Sequence, residues 1–179
     1  MTKAELEICI QAYGKDIYSF CRYLAGSVQE AEDLYQDTFL KAMELNEKMN
    51  MDSSPKSYLL AVAVRIWKNK KRRYAWRKRI ADTKVLPGEQ ERQKEKEVQL
   101  SPEQQLLQEE EKEAVRSAVA GLPERLRVAV LLYYMEGLSV ARISSIAKIP
   151  QGTVKSRLYQ ARKALAKELE VVLNEKEFR

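Results

Sequence analysis

The stretch PQGTVKSRLYQARKAL, positions 150–165, carries the residue types best suited to holding another molecule. At a helical period Val154, Leu158, Ala161 and Leu165 fall on one side, at i, i+4, i+7 and i+11, and form an apolar stripe fit to dock on a core. The other side presents Lys155, Ser156, Tyr159, Gln160, Arg162 and Lys163, with no acid among them. A helix face that meets only solvent mixes signs and gains i,i+4 ion pairs, so an all-donor face points to an anionic partner. Lys and Gln can hydrogen-bond base edges, and Tyr adds a flat apolar contact. Gly152 and Thr153 sit in the first turn, where free backbone N–H groups can hold a phosphate.

Bond-making chemistry has little to work with. The 179 residues include no His and two Cys, which excludes His-based triads and His metal sites. Cys9 and Cys21 lie twelve apart in an apolar helical pattern and are expected as buried free thiols. Six glycines form neither a phosphate loop nor a dinucleotide fingerprint. The sequence argues against an enzyme and asks for no cofactor and no metal.

Charge is blocked along the chain. Residues 65–80 hold nine basic groups and no acid, and residues 114–179 hold 12 basic and 6 acidic groups. Residues 1–64 (6 basic, 10 acidic) and 81–113 (5 basic, 10 acidic) are net negative. Two basic blocks separated by an acidic one suggest two polyanion contacts joined by something that is not itself such a contact.

These residues must be positioned by helices, because nearly every patterned segment has the helical period and no alternating run is long enough for a strand. The expected fold is all-α, with helices near 4–25, 28–45, 55–80, 103–120, 123–136, 139–148 and 151–173, punctuated by Gly26-Ser27, Ser53-Ser54-Pro55, Gly121 with Pro123, Gly137 with Ser139, and Pro150. The stretch DTKVLPGEQERQKEKEVQLSP is too polar to fold alone, so it reads as a linker or a solvated helical spacer. The chain thus divides into residues 1–81, a linker over 82–102, and residues 103–179. The longest apolar runs, YLLAVAV and VAVLLYYM, fall short of the roughly 20 residues of a membrane helix. The opening MTKAELEICI has no export signature, and the expected location is the cytoplasm.

Ser139 is a good N-cap for SVARISSIAKI, whose Val140, Ile143, Ile146 and Ala147 make one stripe, and Pro150 then forces a turn. A short helix, a tight turn and a second helix with a basic outer face form a helix-turn-helix, whose second helix enters the DNA major groove. Near the other end, the stripe Leu59, Val62, Ala63, Ile66, Trp67 continues into Lys70, Lys71 and Arg73. The core is therefore expected to end near Trp67 while the helix runs on, its charge interleaved with Tyr74 and Trp76, a pairing suited to unstacked bases and phosphates.

LPERLRVAVLLYYMEGLS followed by IPQGTVKSRLYQARKAL resembles region 4 of bacterial sigma factors of the extracytoplasmic-function group. The resemblance implies recognition of the promoter minus-35 element by Thr153, Lys155, Ser156, Arg157, Tyr159, Gln160, Arg162 and Lys163, with Gln160 standing where the family often has Arg. Arg157, on the flank of the helix, is assigned to phosphate or to packing. QEAEDLYQDTFLKAME resembles region 2.2, whose D-L-x-Q-[DE] pattern binds the clamp helices of the RNA polymerase β′ subunit; the matching residues are Asp33, Leu34, Gln36 and Asp37. SPKSYLLAVAVRIWKNKKRR resembles regions 2.3 and 2.4, which open the promoter and capture a flipped minus-10 base. That implies minus-10 contacts from Tyr58, Arg65, Lys68, Lys71, Arg72 and Arg73, with Tyr58 where many members have Trp and Arg65 where many have Asn. The loop from Glu47 to Ser54, with Met49 and Met51, is expected to carry the specificity pocket, and the linker to thread the polymerase's RNA path. The implied partners are core RNA polymerase, promoter DNA and an anti-sigma factor covering the same surfaces. The rival reading is a stand-alone helix-turn-helix regulator acting as a homodimer, which leaves the Asp33–Asp37 face and the 65–80 cluster without a role.

Overall fold

A computed structural model describes residues 3–45, 54–80 and 113–177, and every regular element among them is helical. Residues 3–45 and 54–80 belong to one compact unit, and 113–144 and 149–177 to a second.

The first unit packs three helices, α1 (Lys3–Leu24), α2 (Val28–Glu44) and α3 (Pro55–Ile80). Its core follows the apolar period: Ile17, Phe20, Cys21 and Leu24 from α1, Ala31 and Leu34 from α2, and Leu59, Leu60, Ala63 and Trp67 from α3 are all buried. The turns are set by local hydrogen bonds. Ser27 accepts from the Glu30 N–H at 3.2 Å, and the Glu30 carboxylate reaches back to the Gly26 N–H at 3.0 Å, which satisfies orphan donors at both sides of the α2 start. Ser54 caps α3 by accepting from the Ser57 N–H at 3.2 Å, with Pro55 at the first helical position, where its missing N–H costs nothing. Gly14 lies where α1 meets α2, and a Cβ there would lie 3.1 Å from the Tyr35 hydroxyl, a tight contact that glycine avoids. Cys9 and Cys21 are free and buried, and burial pushes the Cys21 thiol up to about 12, so it packs as a small hydrophobe.

The second unit contains α4 (residues 113–121), α5 (Glu124–Val130), the first five residues of α6 (Val140–Ala147) and α7 (Gln151–Glu177). The expected helix over 123–136 differs in kind: after Val130 the chain widens into a π turn over Leu131–Met135. The Glu136 N–H donates to the Leu131 carbonyl and the Leu138 N–H to the Leu132 carbonyl, and Gly137 closes the turn at φ 63°. The wider turn keeps Leu131 and Leu132 in the core and leaves Tyr133, Tyr134 and Met135 exposed. Leu122, Leu126 and Val130 pack against Ala161, with Leu165 at the margin, and this cluster holds α7 in place.

Arg127 ties α4 to α5. Its guanidinium donates to the carbonyls of Ala120 and, at 3.1 Å, Leu122, groups that the end of α4 leaves without helical partners. Burial holds its pKa below the usual arginine value, partly offset by Glu124. Arg127→Ala is expected to destabilise the second unit by about 1–3 kcal/mol, because two carbonyls at the end of α4, one of them part-buried, lose a charged donor. A urea titration of the full chain followed by circular dichroism checks this as an earlier helical transition.

The linker over 82–102, the start of the expected 103–120 helix and the 47–53 part of the specificity loop lie outside the described residues. Among the described residues no helix is long and apolar enough to cross a membrane.

Candidate nucleic-acid interface

Local chemistry sets the turn between α6 and α7. Ser139 caps α6 by accepting from the Arg142 N–H at 3.2 Å, as its sequence position suggests. At the other end the Ile149 N–H donates to the Ser144 carbonyl at 3.2 Å, and the Ser144 hydroxyl donates to the Ile149 carbonyl. Lys148 takes φ 53° to make this possible, a left-handed conformation that favours glycine. Pro150 keeps Ile149 out of the helical region, and its carbonyl accepts from the Val154 N–H at 3.1 Å to open α7. Two helices are thereby joined through three residues.

Val154, Leu158 and Ala161 are buried and Leu165 is half-buried, so the stripe faces the core. Lys155, Ser156, Tyr159, Gln160, Arg162 and Lys163 are all exposed, with Tyr159 at 64%. The Gln160 amide lies 3.4 Å from the Ser156 hydroxyl, one turn away on the same face. Thr153 and Arg157 are half-buried on the flank. A Cβ at Gly152 would meet nothing, so the first turn is open to an approaching anion. Burial, and next the neighbouring Arg125 guanidinium, hold Arg157 below the usual arginine range. A cation crowded by another cation gains most from an anion placed between them.

Along α3 the core ends at Trp67, which is 2% exposed, and residues 72–77 are exposed without exception. Tyr58, Arg65, Lys68 and Arg72 stand at i, i+7, i+10 and i+14 and share the side of the helix opposite Leu60, Ala63 and Trp67. Tyr58 and Lys68 are half-buried, while Arg65 and Arg72 are exposed. Lys71 falls elsewhere, its ammonium 4.3 Å from the centre of the Trp67 ring, and Arg73 is exposed on another flank. The structure therefore brings four of the six expected minus-10 residues into one row and leaves Lys71 and Arg73 beside it.

On α2, Asp33 and Gln36 are exposed and Asp37 is half-exposed, on one face. Leu34 differs from expectation: it is fully buried in the helical core, so it holds α2 in place and does not reach a partner. The motif spaced it beside the acids in sequence, but a residue one position from Asp33 turns about 100° away around a helix. Two apolar residues that the sequence reading passed over are exposed on this helix instead. Leu40, 58% exposed, lies at i+7 from Asp33 and i+4 from Gln36, and Met43 is exposed beside it. Apolar side chains on an acidic helix face were the available signal. Asp37 also pairs with Lys70 of α3 at 2.8 Å, a contact that links the acidic face to the basic helix.

Among the described residues no group of three or more acids or cysteines is placed to hold a metal. What the arrangement offers is three surfaces for binding: a donor face on α7, a basic row on α3, and an acidic face with apolar residues on α2.

Comparison with known proteins gives these surfaces a context. Residues 9–77 match the family model for sigma-70 region 2, and residues 112–165 that for sigma-70 region 4. The RNA polymerase sigma-H factor of Pseudomonas aeruginosa is 30% identical over 177 residues, covering 97% of this chain and 90% of that protein. The ECF RNA polymerase sigma-E factor of Escherichia coli is 31% identical over 137 residues, 76% of this chain and 72% of that one. Among solved structures, the sigma factor RpoE of Bartonella quintana, crystallised with the anti-sigma factor NepR, has the same fold, with a TM-score of 0.71 at 24% identity over 94% of this chain and 96% of that one.

Proposed function

Because the chain belongs to the sigma-70 family, in its extracytoplasmic-function group, and so directs RNA polymerase to promoters, we propose how its surfaces divide that work. Residues 1–81 form the domain that docks on core polymerase and holds the minus-10 element, residues 82–102 join the two halves, and residues 103–179 form the minus-35 domain. The face of Asp33, Gln36 and Asp37, extended by Leu40, meets the β′ clamp helices. The acids steer toward a basic partner, and Leu40 supplies desolvated contact. The row from Tyr58 to Arg72, with Lys71 and Arg73 beside it, holds the minus-10 region, where extruding a base costs a few kcal/mol that captured bases and phosphates offset.

The observation that carries the reading is the outer face of α7, where six exposed polar or basic side chains without an acid lie over a buried stripe. Lys155, Ser156, Tyr159 and Gln160 occupy the early turns and read minus-35 base edges. Arg162 and Lys163 lie later and hold phosphates, and Thr153 and Arg157 anchor the flank. The protein acts by binding and not by catalysis, in the cytoplasm, without cofactor or metal. An anti-sigma factor occupying the α2 and α7 faces holds it inactive, in keeping with the complex in which the similar RpoE was solved. Gel filtration with core polymerase tests the reading: the chain is expected to co-elute with the enzyme, whereas a stable homodimer that ignores polymerase would contradict it.

A further inference from the structure

Helix α5 carries two arginines, and they stand in opposite circumstances. Arg127 is committed to the fold, because its guanidinium is taken up by the Ala120 and Leu122 carbonyls. Arg125 is exposed, and among the described residues its guanidinium makes no hydrogen bond or ion pair. The same holds for the guanidinium of Arg157 on α7, although Arg157 is half-buried.

Packing brings Arg125 and Arg157 together. Arg157 lies at i−4 from Ala161, so it leaves α7 on the side that meets Leu122, Leu126 and Val130 of α5. Arg125 stands one residue before Leu126, at the edge of the same contact. The nearby charge that acts on Arg157 is the Arg125 guanidinium. The fold gains nothing from setting two cations side by side, since each disfavours the charged form of the other. An anion between them turns that repulsion into two attractions. Guanidinium groups suit phosphate in particular, because their planar forks meet its oxygens through paired donors. Arg157 also borders the donor face of Lys155, Ser156, Tyr159 and Gln160, so the backbone of a duplex read by that face runs past the seam between α7 and α5.

We propose that Arg125 and Arg157 form a two-arginine seat for one backbone phosphate of the promoter duplex, at the edge of the minus-35 element. Helix α5, which lies outside the helix-turn-helix, thereby takes part in holding DNA. The inference rests on reading α7 as the DNA-facing helix. It makes Arg125 a contact that sets position and affinity without reading sequence.

The test uses the full chain and a minus-35 duplex in which one backbone phosphate at a time is replaced by a neutral methylphosphonate. One position at the edge of the element is expected to weaken binding by the parent roughly three- to thirty-fold. The same replacement should have a clearly smaller effect on Arg125→Ala. Arg125→Ala and Arg157→Ala are each expected to weaken binding to all sequences alike and to flatten the salt dependence by about one phosphate contact. The double variant should be little weaker than either single one, because all three lose the same phosphate. In urea, Arg125→Ala should unfold no earlier than the parent, unlike Arg127→Ala. Arg125→Ala binding duplex as tightly as the parent overturns the seat, as does an earlier unfolding transition in that variant. A double variant whose losses multiply also overturns it, since the two residues would then hold separate phosphates. A parent chain that prefers no minus-35 sequence would contradict the reading of α7 instead, and coupling between Arg125 and Arg157 on any duplex would still be measurable, so each idea can fail without the other.

Discussion

Reversing Asp33 and Asp37 together to Lys is expected to weaken competition for core RNA polymerase by at least about a hundred-fold, since like charges brought together at an interface cost several kcal/mol. Both positions lie on the solvent side of α2, whose hold on the fold comes from Ala31, Leu34, Phe39 and Ala42, so the variant should remain folded. Asp37 needs a control, because its partner Lys70 is 2.8 Å away and Asp37→Lys would also set two lysines together. An exposed pair of this kind contributes about 0–1 kcal/mol. Lys70→Ala removes the pair and frees Asp37, and it should leave polymerase binding unchanged or slightly tighter. If the double reversal competes as well as the parent, α2 is not the docking face.

The second large effect is expected on α7. Gln160→Arg exchanges a side chain suited to adenine for one suited to guanine and should change which minus-35 sequence is preferred. A good bidentate pair is worth about 1–3 kcal/mol of discrimination, so the ratio of affinities for the two sequences should shift by a factor of roughly 5–150. Arg162→Ala should weaken binding to all sequences alike and flatten the salt dependence by about one phosphate contact. Both residues are exposed and outside the buried stripe, so both effects are expected at the interface. The measurement is binding of the full chain to a randomised minus-35 library at two salt concentrations. An unchanged preference in Gln160→Arg with a shifted one in Arg162→Ala would invert the division between base reading and backbone contact.

Where a single helix decides its own faces, the sequence was a reliable guide. Val154, Leu158 and Ala161 are buried as their spacing requires, and the α3 core stops at Trp67, where the apolar pattern gives way to charge. The cap at Ser139 was visible because a hydroxyl just before an apolar run suits an N-cap, whereas Ser27 and Ser54 were read only as breaks between helices and their capping bonds came from the structure. Features that depend on register or on distant partners were hidden. LLYYM has the same composition in an α-helical as in a π turn, so the change of hydrogen bonding after Val130 left no trace in the pattern. Arg127 looked like one more basic residue until the end of α4 was placed beside it. The pairing of Asp37 with Lys70 needs the packing of α2 on α3, which no local rule supplies. Leu34 shows the limit of a motif, since a residue within a recognition pattern can serve it from inside the core.

The central claim is that one chain brings polymerase to two promoter elements at once, and run-off transcription tests it most directly. Core polymerase is supplied with this chain and a library of duplex promoters varied at the minus-35 and minus-10 positions. The expected result is transcription only when the chain is present, from templates enriched at both elements with a fixed spacing between them. Transcripts no different from those of core polymerase alone, from a chain that still binds duplex DNA by itself, would contradict the account.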